Sequence, residues 1–202
     1  MDKKILSILL SLLALTLTFS FSSCSDDDDD ASTVTWDFNG IVLFLDVHDT
    51  SGNSVLTSDA PGSIVGDVMT LDYKDKEYTL DWTILGYRLP EIPDSRYCPA
   101  YFQGLMYFPV YETVDGKSIA TDRRIIRIGE LPRDENYEAS MVLHYNDYNH
   151  LITVKNNIEW IKRPKDSQYP EYAKYVPVVT TVVTFDGMII EEPYNIVIKK
   201  DK

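Results

Sequence analysis

The stretch Met69 to Trp82 constrains the fold more tightly than any other part of the chain. Large apolar side chains stand at Met69, Leu71, Tyr73, Tyr78, Leu80 and Trp82, with Thr70, Asp72, Thr79 and Asp81 between them. Successive side chains of a strand point to opposite faces, so this alternation predicts two strands that each bury one face. A two-residue turn at Asp75-Lys76 pairs Tyr73 with Tyr78, Leu71 with Leu80 and Met69 with Trp82, and sets Lys74 opposite Glu77. Every large apolar residue then shares one face, and a slip by one residue would destroy that agreement.

The same period recurs along the chain. Between Thr35 and His48, Ile41, Leu43, Leu45 and Val47 alternate with Val42, Phe44, Asp46 and His48. The turn-forming run Asp49-Thr50-Ser51-Gly52-Asn53 stops that strand, which resumes at Ser54-Val55-Leu56. Leu105 to Val114 reads as an edge strand, because Pro109 cannot donate to a ladder, and Asp115-Gly116 turns the chain after it. A short strand follows at Arg124 to Ile128. Ser140 to Tyr145 and Leu151 to Val154 form a hairpin across Asn146 to Asn149, and Ile158 to Ile161 adds a further piece. Val178 to Phe185 and Met188 to Ile190 flank Asp186-Gly187, a favoured hairpin turn, and Ile196 to Lys199 closes the chain.

No amphipathic helical period stands after Cys24. Short strands separated by turn signals at this spacing predict an all-β fold, an antiparallel β-sandwich. Gly86 to Gly104 breaks the alternation with Pro90, Pro93 and Pro99 and gathers Tyr87, Tyr97, Tyr101 and Phe102. Long loops on rigid β frames often carry function, so these four rings are candidate binding aromatics. Tyr169, Tyr172 and Tyr175 form a second such group. For both, the alternative role is to cover the open ends of the core.

The first thirty residues speak of an address. Lys3 and Lys4 precede the apolar Ile5 to Phe21, and Ser22 and Ser23 follow. This is the three-part pattern of a secretory signal over residues 1–23. Ser7, Ser11, Thr16, Thr18 and Ser20 interrupt an apolar segment already shorter than the ~20 residues of a membrane span. Phe21-Ser22-Ser23-Cys24 resembles the lipobox of bacterial lipoproteins, which implies that Cys24 becomes the first mature residue and carries lipid. Phe21 departs from the usual leucine. The tract Ser25-Asp26-Asp27-Asp28-Asp29-Asp30 is similar to the export signal of surface lipoproteins of the phylum Bacteroidota. Mutually repelling aspartates also make an extended spacer, so residues 24–33 are expected to be a lipidated tether and residues 34–202 the folded domain.

Cleavage after Ser23 removes Asp2, Lys3 and Lys4, leaving 31 acids, 17 bases and a net charge of −14, five of it in the tether. Such acidity disfavours nucleic acid and anionic lipid as partners, since the field repels phosphate. The expected membrane contact is the N-terminal lipid, and anchoring by two or more acyl chains is stable. With Cys24 lipidated, Cys98 has no partner in the chain, which excludes a disulfide framework.

Motifs for chemistry are sparse. No Gly-x-Ser-x-Gly is present, and Gly116-Lys117-Ser118 lacks the earlier glycine of a phosphate loop because Tyr111 stands there. His144 and His150 fall on opposite faces of their hairpin, in the register that pairs Tyr145 with His150. Asp46, Asp49 and Asn53 offer oxygen ligands around a turn, as calcium prefers. Their spacing does not follow the known calcium loop, so turn stabilisation is the expected role, and no metal or other cofactor is expected. Cys98 has no identifiable base. The expectation is a non-enzyme.

Trp36-Asp37-Phe38, the run from Asp49 to Leu56, Ile128-Gly129-Glu130 and Ile158-Glu159-Trp160 together resemble small Bacteroidota surface lipoproteins with an immunoglobulin-like or transthyretin-like sandwich. The resemblance implies a fold more than an activity. The expected function is that of an outer-membrane, outward-facing lipoprotein acting as a non-catalytic binding or accessory module for a glycan or a protein of a surface complex. The alternative is a fimbrial or matrix component assembled by strand exchange.

Overall fold

A computed structural model describes residues 38–86, 102–167, 169 and 173–200. The chain divides into two compact units, one of Trp36–Lys162 with Tyr175–Lys202, the other of Met1–Thr35 with Arg163–Lys174. In the second unit Arg163 donates from its backbone to the Lys174 carbonyl (2.9 Å) and from Nε to the Tyr169 carbonyl (2.9 Å). Cys24, the tract from Ser25 to Asp30, Tyr87, Tyr97, Cys98, Tyr101 and Tyr172 lie outside the described residues.

Among the described residues the first unit holds every strand, and there is no helix. In chain order they are β1 (Ile41–His48), β2 (Met69–Tyr73), β3 (Lys76–Thr79), β4 (Leu105–Val114), β5 (Lys117–Leu131), β6 (Tyr137–Tyr145), β7 (Tyr148–Lys162), β8 (Tyr175–Phe185), β9 (Met188–Ile190) and β10 (Asn195–Lys199). They form a four-stranded sheet, β10-β1-β5-β4, and a six-stranded sheet, β3-β2-β6-β7-β8-β9. One core joins them. Ile41, Leu43, Leu45, Val47, Ile126, Ile128, Ile196 and Ile198 of the smaller sheet cluster with Met69, Leu71, Met141, Leu143, Ile152 and Val154 of the larger. The expected all-β sandwich is therefore the fold. Its ladders are antiparallel except that β10 runs parallel to β1.

The alternation in β1 is realised in full, with Ile41, Leu43, Leu45 and Val47 buried and the residues between them half-buried. β4 lies at a sheet edge, where Pro109 removes no ladder donor that the sheet needs. The Met69 hairpin forms two residues out of the expected register. Leu71 faces Tyr78, Tyr73 faces Lys76, and the Leu80 backbone N–H bonds the Met69 carbonyl at 2.9 Å. The reason is the turn, which falls on Lys74 and Asp75 with φ of 50° and 58°. Two positive φ values give the turn twist that matches paired strands, and a shift by two leaves every side chain on its expected face. Trp82 still packs against the core, with its Nε1 donating to the Asp67 carbonyl at 2.8 Å. The β6–β7 hairpin differs in the same way. Its two-residue loop of Asn146 and Asp147 pairs Tyr145 with Tyr148 and Leu143 with His150.

Candidate functional site

The site begins with an edge. In the parallel ladder, the Phe44 N–H bonds the Tyr194 carbonyl at 3.1 Å and the Lys200 N–H bonds the His48 carbonyl at 2.7 Å. In a parallel pair alternate residues of a strand turn both backbone groups to the same neighbour. Ile196 and Ile198 therefore face β1, and the N–H and C=O groups of Asn195, Val197 and Lys199 point out of the sheet. Among the described residues nothing pairs with them, and β10 ends its sheet.

Beyond that edge the inner face of the larger sheet lies uncovered. Tyr148 pairs with Tyr145 and Met188 with Phe185, so all four project from the core-facing side. Tyr145 and Phe185 are buried, whereas Tyr148 is 55% and Met188 64% exposed. The smaller sheet ends before it reaches them. A cleft of about 220 Å³ results, lined by Tyr145, Asn146, Tyr148, His150, Phe185 and the Val197–Lys199 edge of β10.

Within the cleft His150 stacks between Phe185 (centroids 5.0 Å apart) and Tyr148 (6.3 Å). Asp186 holds it, with Oδ2 2.7 Å from Nδ1 while Oδ1 accepts from the Leu151 N–H at 2.8 Å. The buried Tyr145 hydroxyl makes no hydrogen bond of normal geometry. Burial pushes its pKa up, and the neighbouring Asn146 side chain opposes that shift. What the surface offers is a row of free backbone donors and acceptors next to an apolar, aromatic floor.

The sequence candidates fall elsewhere. Phe102 packs on the core against Tyr73 (4.4 Å) and Tyr78 (5.2 Å), the covering role open to the aromatic group. Asp49 ties its own turn, since Oδ1 accepts from the N–H groups of Ser51 and Asn53, each at 2.8 Å. The hydrogen bond from the Asn53 backbone N–H above all lowers the Asp49 pKa. Asp46 accepts from Ser54 Oγ (2.6 Å) and meets His48 Nε2 at 3.0 Å. These carboxylates are spent on the turn, and among the described residues no cluster of metal-ligating side chains occurs. His144 sits on the outer face, apart from His150, between Asp72 (2.9 Å) and Asn149 (2.7 Å), chiefly the former raising its pKa.

No family model, curated protein or solved structure matches this chain. Sequence reasoning passed over the cleft because its residues come from three separated stretches. The strand at Ile196 to Lys199 was readable, but its place at the edge of a sheet was not.

Proposed function

We propose that this chain is a lipid-anchored lipoprotein of the outer membrane, facing outward and acting as a non-catalytic binding or accessory module. Lipid on Cys24 holds it, and the Ser25 to Asp30 tract spaces and exports it. The β10 edge with its cleft is the surface it works through, and that open edge is the single observation that supports binding most directly. Main-chain pairing at a free edge supplies affinity, while a neighbouring pocket supplies selectivity. A protein strand suits such an edge better than a sugar does. Glycan capture is the second reading, favoured by the exposed ring of Tyr148 beside Asn146.

Replacing Cys24 with alanine tests the anchor. Palmitate labelling is expected to vanish and the protein to leave the membrane fraction; persistent labelling overturns the assignment. For the binding surface, a glycan array and a pull-down from labelled membranes separate the two readings. Sugar binding abolished by Tyr148→Ala would favour the glycan, and silence in both assays would remove the binding function.

A further inference from the structure

We infer that the β10 edge pairs with the β10 edge of a second copy of this chain, antiparallel, about a twofold axis through Val197. The inference rests on the reading of this edge as the working surface. Among the described residues its outward groups belong to Asn195, Val197 and Lys199, a set symmetric about Val197. A twofold there places Val197 opposite the second copy's Val197, and each Asn195 opposite the second copy's Lys199. All three fall at hydrogen-bonded positions, where opposed residues exchange both N–H···O=C bonds.

Charge selects this register. Centring the axis on Lys199 sets lysine against lysine, which destabilises a cross-strand pair. Centring it on Asn195 runs the strand into Pro193, which has no N–H to give. Of the axes through Asn195, Val197 and Lys199, only that through Val197 uses every outward group of the described residues and sets each lysine against a neutral amide.

Apolar exposure points the same way. Val197 is 47% exposed on the outer face, and Met188 stands uncovered on the inner face beside Phe185. A strand added beyond β10 falls over that Phe185–Met188 pair and closes the cleft. The pairing therefore buries apolar surface on both faces while joining the two smaller sheets into one.

Cross-linking in intact cells reads the register directly. In the full chain carrying Cys98→Ser, Val197→Cys is expected to give an oxidised homodimer. Opposed Cα atoms at a hydrogen-bonded pair are about 5.5 Å apart, within disulfide reach. Asn195→Cys alone should give none, but Asn195→Cys with Lys199→Cys should. By sedimentation of the detergent-solubilised full chain, Asn195→Lys is expected to weaken the dimer about tenfold, since it creates two like-charge pairs, and Asn195→Glu to strengthen it. A Val197→Cys chain that stays monomeric while retaining its thermal unfolding transition overturns the twofold. A photo-cross-linker at position 197 then separates the two readings. Capture of a different protein leaves the edge as a binding surface without self-pairing, whereas no capture sinks both.

Discussion

At the scale of single residues, Asn156 bears more of the fold than its polarity suggests. It is 2% exposed and follows Ile152 and Val154 on the inner face of β7. Its Nδ2 donates to the carbonyls of Arg133 (3.1 Å) and Glu135 (2.8 Å), and its Oδ1 accepts from Thr181 Oγ1 (2.8 Å). One amide thereby ties the segment ahead of β6 to β7 and β8. Asn156→Leu keeps the branched shape but strands those partners, and each buried unsatisfied group costs about 1–3 kcal/mol. Urea unfolding of the variant is expected to show a loss of about 3 kcal/mol. A loss below about 1 kcal/mol would mean that water replaces the amide. The sequence marks strands at Leu151 to Val154 and Ile158 to Ile161 but not their continuity through Asn156 in β7, and the carbonyls that Asn156 satisfies come from a segment more than twenty residues earlier.

At the scale of elements, a bulge sets the position of β1, on which β10 depends. Ile41 pairs with Leu131 but Leu43 with Ile128, so β5 carries one extra residue there. Gly129 absorbs it with φ of 118°, and an added Cβ would lie 3.1 Å from the Ile41 carbonyl oxygen. Side-chain-bearing residues rarely adopt that backbone, and holding one there costs on the order of 1–3 kcal/mol. Gly129→Ala should therefore destabilise the domain by about 2 kcal/mol in thermal or urea unfolding. An unchanged transition would show that the bulge relaxes freely. Hairpins were the elements most readable in advance. The Asp186-Gly187 turn falls where expected, with φ of 49° and 80° and Phe185 opposite Met188. The Met69 and Ser140 hairpins kept their faces yet moved by two positions. Hydrophobic alternation repeats every second residue, so it cannot distinguish registers that differ by two; the backbone of the turn does.

At the scale of the whole molecule, the proposed anchor and the proposed edge make separate demands. Residues Ser25 to Val34 can span up to about 30 Å at ~3.3 Å per residue. If the acidic tract directs outward display, replacing Asp26 to Asp30 with serine should preserve palmitate labelling but protect the domain from protease added to intact cells. Equal digestion of both forms would reduce the tract to a spacer. By itself the sequence determined the strand-and-turn character, the inner faces and the acidic surface, because side-chain period and turn chemistry are local properties. The proposed address rests on sequence patterns of the same local kind. Only tertiary structure decided that β10 lies parallel to β1 at an open edge, and that the smaller sheet stops short of Tyr148 and Met188. Those facts depend on which distant strands meet, and the burial energy that selects the partners is the same for any arrangement hiding the same apolar faces.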